Sequence, residues 1–509
     1  MKFLRFVLAL VLAIGIQMNA NSQTWIFGDS CRIDFVNGLE VIGKSNCSGE
    51  ISSVLQTPSN LFYAYSNNKI FSSFNYGRVF NDAGTLISTP TGLRSFGRFH
   101  TILMVPHPGD STKAYVFHEG SLSSQLSLYY SVVNLYGNFG AGSMITTNNT
   151  LLQDDISGGS VNIIRHGNGR DWWLYIRQIN SLTSTPTNLW YRFLIDPQGI
   201  HGPYLQNIGQ LSYFNIDQLI FNPQGDKVVY LTQQGLFDLY DLDRCTGLFS
   251  NHQIIFQKIT SNAPPIFFTR LGEFSALGRY FYATAGYNGG PSTSYVLQFD
   301  MLDSNISSSR KIIHTFPSMI NSSYFYPFEL RRAPNNKIFL ASFSGTYSVP
   351  YCDSCAFDTV SMYLGVINSP DSNGILCAFA PFSFYLGGNR TYSCLPKMPN
   401  YNIGVAVGSG CDTLVATGLG HEFIEEKNRI HCWPNPASVS VNIRWGGIEK
   451  VKQVSLISNA GKIVLSMPWQ SEFDVMEIPI QFLTSGLYVV ELQLTSGEKF
   501  RKKLMVMNE

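Results

Sequence analysis

Charge is scarce in this chain. Asp, Glu, Lys and Arg make up 14% of its 509 residues, and 35 basic against 34 acidic side chains leave a net charge of +1. Without a basic excess there is no electrostatic grip on nucleic acid, so that class of partner is excluded. After the first two dozen residues no apolar run reaches bilayer length, so the mature chain is expected to lack a transmembrane segment. Helical periodicity is almost absent from residues 24–395, which removes bundles and doubly wound α/β folds. Several chemistries also lack their residue patterns. Ser160 follows two glycines but is not in a G-x-S-x-G elbow. The run from Gly286 to Gly290 is a turn, not a phosphate loop, because no helix pattern follows it. Asp154 and Asp155 are adjacent, so within a strand they face opposite ways and form no carboxylate pair.

What is abundant points one way. Aromatics reach 14%, with 44 Gly, 26 Tyr and 36 Phe. Few charges, many aromatics and frequent turn residues fit an all-β exported protein. The N-terminus agrees. Lys2 and Arg5 precede an apolar stretch at 6–16, and Ala20 and Ser22 are the small residues before a cut at Gln23. That is the pattern of a secretory signal peptide over residues 1–22. The first cysteine is Cys31, too far from the cut for a lipid anchor.

Nine cysteines make disulfides permissible in an exported chain. Cys352 and Cys355 form a lone C-x-x-C without the second pair or histidines that zinc requires. They are expected to form a loop disulfide or to pair with Cys377 or Cys394. The odd count leaves at least one thiol unpaired or intermolecular.

The middle of the chain repeats. Segments 219–247, 273–300 and 329–341 each run strand, tight turn and aromatic strand, and the first two continue into a third strand ending in Asp. Gly225, Gly278 and the pair Asn335-Asn336 supply turn positions that tolerate positive φ. Tyr230, Tyr282 and Phe339 fall at equivalent places and are expected to pack between sheets. The copies are spaced by about 55 residues, near the length of a propeller blade. More diverged copies lie at 61–71, 102–133 and 161–195, giving six. A seventh is expected from Trp25 to Phe35 pairing with strands at 378–385, which would close the array and remove its edges. The expectation is an all-β chain: a six- or seven-bladed β-propeller over 23–395, a linker at 396–428, and a small Ig-like β-sandwich at 429–509. Trp25–Gly28, Leu128–Val133, His166–Trp173, Tyr240–Gly247 and Leu395–Asn400 together resemble the propeller regions of exported Bacteroidetes proteins. That resemblance implies a propeller but no reaction.

The middle offers few candidate ligand or catalytic sets. Asp238, Asp241 and Asp243 are the densest acidic group, but a turn-capping role before Thr246-Gly247 accounts for the last two. His100, His107 and His118-Glu119 match no metal spacing. Trp172-Trp173, Trp190-Tyr191 and Tyr324 to Tyr326 are candidates for sugar or peptide stacking, set against a packing role between blades. Arg165, His166, Asp171 and Tyr175 form the one neighbourhood where a catalytic set is imaginable. No catalytic residue, metal ligand or cofactor is assigned.

The tail is more specific. Strands alternate at 439–443, 454–457, 462–465, 487–494 and 499–507, with a turn at Asn459-Ala460-Gly461. Trp433-Pro434-Asn435-Pro436-Ala437, residues 457–462, Leu483 to Tyr488 and Lys502-Lys503-Leu504 closely resemble the type A C-terminal sorting domain of the Bacteroidetes type IX secretion system. The resemblance implies transport across the outer membrane from the periplasm, with the type IX machinery as partner and the cell surface or the medium as destination. By that carry-over Pro434, Asn435, Pro436, Gly461, Gly486, Tyr488, Lys502 and Lys503 are signal residues. The expected function is a binding or adhesion scaffold with a glycan or protein ligand on a propeller face. The alternative is a polysaccharide- or peptide-degrading hydrolase or lyase on the same scaffold.

Overall fold

The computed structural model describes residues 24–507 except 50, 57–60, 67–75, 89–91, 96–101, 122–125, 139, 159–160, 180–184, 213–216, 233–234, 257–267, 287–292, 318, 321–322, 345–359, 392–394, 413–429, 434–436, 446–449, 459–460, 470–474 and 498. The signal peptide, Cys352, Cys355, Cys394, His100, Ser160 and Pro434 to Pro436 therefore lie outside the described residues. The chain divides into two compact units, 1–412 and 413–509.

In the first unit consecutive strands pair antiparallel, and seven sheets follow one another along the chain. Sheet A is the hairpin Thr24–Val36 and Leu39–Gly49. Sheet B holds Ile51–Gln56, Leu61–Ser66, Tyr76–Asn81 and Leu93–Arg94. Sheet C holds Ile102–Pro106, Lys113–Ser121, Leu126–Asn134 and Ser143–Leu152. Sheet D holds Asn162–Arg165, Trp172–Arg177, Thr187–Asp196 and Gly199–Ser212. Sheet E holds Asp217–Phe221, Lys227–Thr232, Leu236–Asp243 and Leu248–Phe256. Sheet F holds Phe268–Phe274, Tyr280–Gly286, Ser294–Asp300 and Lys311–Phe316. Sheet G holds Met319–Ile320, Ser323–Arg332, Ile338–Ser344, Tyr363–Ile367 and Phe379–Tyr385.

Each sheet packs on the next, and the last packs on the first. Ile26 and Cys47 of A meet Val54 and Tyr63 of B. Phe62 of B meets Met104 and Val116 of C. Phe117 of C meets Trp172 and Leu174 of D, and Tyr175 and Trp190 of D meet Tyr230 and Tyr240 of E. Phe237 of E meets Phe281 and Phe299 of F, and Tyr282 of F meets Leu330 and Leu340 of G. Phe339 of G closes against Trp25 and Phe35 of A. All three aromatics pack between sheets, but not at equivalent places: Tyr230 faces the preceding sheet, while Tyr282 and Phe339 face the following one, where E places Val229. The turns before them use Gly225, Gly278 and Asn336 at positive φ. The fourth strands are largely exposed and the second strands buried, so the sheets stand edge-outward with their first strands against one another.

One expected pairing is corrected. Thr24–Val36 pairs with Leu39–Gly49, while Phe379–Tyr385 completes sheet G beside Tyr363–Ile367. The reason is local: Asn37 (φ 51°) and Gly38 (φ 79°) form a two-residue turn of the hairpin-favouring hand. The two chain regions still meet, through Asp29 N–H donating to Arg390 O at 2.7 Å. Residues 154–155 lie beyond the strand Ser143–Leu152 rather than within one.

The second unit has two antiparallel sheets. One holds Ile430–Trp433, Ser440–Trp445 and Val475–Pro479. The other is ordered Ile463–Pro468, Val451–Ser458, Gly486–Leu494 and Lys499–Val506. Alternate residues of both, including Val441, Ile443, Ile478, Leu456, Val490 and Leu504, share one core.

Candidate functional site

Several buried polar side chains of the first unit lie on or beside the first strands. They act as staples from sheet to sheet. Ser53 Oγ in B accepts from Met104 N–H in C at 3.0 Å, and Glu119 in C accepts from Val161 N–H at the entry to D at 3.2 Å. Gln218 in E accepts from Gly272 N–H in F, and Glu273 in F from Arg332 N–H in G, both at 3.2 Å. Glu329 in G accepts from Arg331 at 2.6 Å and from Leu395 N–H at 2.9 Å. A buried backbone donor left without such an acceptor would lose about 1–3 kcal/mol.

Leu395 begins a segment, 395–412, that belongs to no strand. Composition assigns residues 396–428 to a linker; residues 396–412 are packed against the first unit. Lys397 N–H donates to Ser52 O at 2.8 Å. Tyr401 donates its hydroxyl to Met104 O at 2.8 Å and meets Trp172 edge-on. Ile403 enters the core between D and E, and Gly404 O accepts from Arg244 at 2.8 Å. Ala406 N–H donates to Gly167 O at 2.7 Å, and Cys411 is bonded to Cys245.

Lys397 is 5% exposed, and its Nζ has no hydrogen-bond partner among the described residues. Burial pushes its ammonium down to about 7, and Arg331 adds to this, while Glu119, Glu329 and Asp217 oppose it. Those charges come from sheets C, E and G, so the ammonium sits where the sheets converge. Asp217 is also buried, and its Oδ2 accepts from Tyr230 at 2.8 Å. Burial pushes it up to about 6, against the Tyr230 hydrogen bond and Arg177. Arg177, fully buried, donates to Thr187 O at 2.7 Å and Gln210 O at 2.6 Å and lies over the Tyr230 ring. The group can hold protons near neutral pH and tie sheets together.

The residues singled out for chemistry go to separate partners. Arg165 stacks on Trp172 at 4.5 Å, and burial pushes it down to about 10. His166 Nε2 contacts Cys245 O at 2.8 Å, and Asp171 is paired with Arg170 at 2.7 Å. Tyr175 donates to Gly247 O deep between D and E. Asp238 accepts from Gln210 and Tyr240, Asp241 pairs with Lys227, and Asp243 accepts from Thr246 and Cys245. Among the described residues no group of three His, Cys, Asp or Glu is placed to hold a metal. His118 is buried between Arg94 O and Ser131, and burial pushes it down to about 4. His107 stacks on Tyr115. The stacking candidates Trp172, Trp173, Trp190 and Tyr191 are core residues, because their strands are covered on both faces. Cys377 is a free buried thiol, so it is no partner for Cys352 or Cys355. The Cys245–Cys411 bond and Lys397 had no local signal beyond a lysine in an otherwise uncharged stretch.

Residues 431–507 match the family model described as a secretion system C-terminal sorting domain. The second unit is a sorting domain of that family. It directs the chain to the outer cell surface or to secretion and engages the type IX secretion machinery. No curated protein matches the chain. Among solved structures, a periplasmic gluconolactonase of Pseudomonas aeruginosa is 11% identical, with 67% of this chain and 91% of that one covered and a TM-score of 0.42. A functionally unknown protein of Desulfotomaculum acetoxidans is 14% identical, with 74% and 98% covered and a TM-score of 0.39. A β-propeller domain from Myceliophthora thermophila is 10% identical, with 64% and 94% covered and a TM-score of 0.35. Likeness at this level bears on neither activity nor ligand. In the sorting domain, Gly461 takes a left-handed turn (φ 79°). Tyr488 is nearly buried and donates to Thr484 O at 2.9 Å. Lys502 and Lys503 lie in the last strand opposite Val490 and Val489. Among the described residues no helix is long and apolar enough to cross a membrane.

Proposed function

We propose that the chain is an exported binding protein, a seven-bladed β-propeller that presents a rigid apolar rim to a protein ligand. The seven serial sheets and the contact of the last with the first support the blade count, with a hairpin as the smallest blade. The two sheets on one core support an Ig-like sandwich at 429–509. The signal peptide reading of residues 1–22 supplies the first export step, and the sorting signal is assigned to Pro434, Asn435, Pro436, Gly461, Gly486, Tyr488, Lys502 and Lys503.

The observation that carries the binding reading is a cluster of exposed side chains. Leu277, Leu302, Ile375 and Leu376 are 72%, 76%, 85% and 72% exposed. They sit on turns tied to one another. Leu277 N–H donates to Asp371 at 3.0 Å, Arg279 beside it pairs with Asp300 at 2.9 Å, and Gly374 N–H donates to Gln298 at 2.8 Å. Apolar side chains held out by ordered backbone meet a partner with little ordering cost, and protein surfaces rarely display them together without use. Their chemistry favours a protein over a glycan.

The test is a peptide and glycan array probed with the exported protein and with the variant Leu277→Ser, Ile375→Ser, Leu376→Ser. Selective peptide binding that falls at least tenfold in the variant supports the reading. Binding unchanged by the variant overturns the rim, and turnover of an arrayed glycan or peptide favours a hydrolase or lyase instead.

A further inference from the structure

Residues 395–412 step from sheet to sheet. Leu395 is held by Glu329 of G, Lys397 by Ser52 of B, Tyr401 by Met104 of C, Gly404 by Arg244 beside E, and Ala406 by Gly167 of D. A segment fixed to five sheets sets their positions relative to one another. Two opposing features govern whether it stays there. Lys397 brings into the buried centre an amine with no hydrogen-bond partner among the described residues, which disfavours docking. The Cys245–Cys411 bond, spanning 166 residues, pins the far end beside sheets D and E. Gly167 lies against both sulfurs, so the bonded pair sits at the turn that also receives Ala406. Both cysteines are only half-buried, within reach of a reagent.

We propose that residues 395–412 are a redox-controlled clasp: with Cys245 and Cys411 bonded, the segment stays across the sheets and buries Lys397, and with the bond reduced it lifts and returns the amine to water. Closing the clasp is thiol–disulfide exchange. One thiolate attacks a disulfide oxidant, the other displaces it, and the oxidant leaves as a dithiol carrying the two electrons and two protons lost by the cysteines. The ring would thereby be finished only where such an oxidant is present.

Hydrogen exchange on the exported full-length protein tests this, with and without dithiothreitol. Reduction should speed exchange of the Lys397 and Ala406 amides at least tenfold and leave Asn162–Arg165 unchanged. The Cys245→Ser, Cys411→Ser variant should behave like the reduced protein. If it fails to fold, reduction of the native protein still decides. Adding Lys397→Met to the reduced state should restore slow exchange, because the opposing amine is gone. Exchange at 397 and 406 that is indifferent to reduction overturns the clasp. So does a Lys397→Met protein whose segment opens as readily as the parent's.

Discussion

Lys397 and Asp217 carry the first unit's response to pH. The folded value of Asp217, about 6, lies above the ordinary carboxylate value of about 4. Between those values the folded state keeps a proton that the unfolded state has lost, so this group's contribution falls as pH rises from about 4 to 6. The folded value of Lys397, about 7, lies below the ordinary lysine value of about 10.4. Between those the unfolded state keeps a proton that the folded state lacks, so its contribution rises from pH 7 towards 10. Together they make a trough between pH 6 and 7, with a rise of about 3 kcal/mol on the acid side and about 4 kcal/mol on the alkaline side. Denaturation midpoints at pH 4.5, 6.5 and 9, for the parent and for Lys397→Met, check it. The variant should lose the rise above pH 7, and identical profiles for the two proteins would refute the assignment. None of this was legible from the sequence. Lys397 sits between Pro and Met in a stretch that reads as connecting chain, and its charged neighbours are up to 278 positions away (397 less 119).

At the scale of elements, the strands were legible because their information is local. Alternation places one face inward, and Gly225, Gly278 and Asn336 mark turns within a few residues of the strands they join. Sheet A follows the same rule: the local Asn37-Gly38 turn, and not the distant strand at 378–385, decides the partner of Thr24–Val36. Ring closure instead depends on a close backbone approach at Gly28 (φ 56°), where an added Cβ would lie 2.3 Å from Arg390 O. Gly28→Ala should therefore destabilise the first unit by at least about 2 kcal/mol, from left-handed strain plus the clash. Gly408 also has positive φ (77°) but opens onto empty space, so Gly408→Ala should cost only about 1 kcal/mol. Thermal melts of the two variants make the comparison, and equal losses would mean that the Asp29–Arg390 contact does not hold the ring.

For the whole molecule, the two units separate folding from delivery, and three truncations separate them experimentally. A chain ending at Asp412 keeps Tyr401, Ile403 and the Cys245–Cys411 bond, so it should fold with the melting transition of the first unit intact. A chain ending at Thr391 loses the segment that Glu329, Ser52 and Met104 hold, leaving buried polar groups of five sheets without partners. Each such loss is about 1–3 kcal/mol against a total stability of roughly 5–15 kcal/mol, so this chain should be largely unfolded by circular dichroism and protease digestion. Deleting 430–509 from the precursor removes the sorting domain but leaves the clasp in place. That protein should accumulate folded in the periplasm, protease-resistant and absent from both surface and medium. Its appearance outside the cell would show that delivery does not rest on the sorting domain. A chain ending at Thr391 that melts like the one ending at Asp412 would show that residues 395–412 are a connector after all.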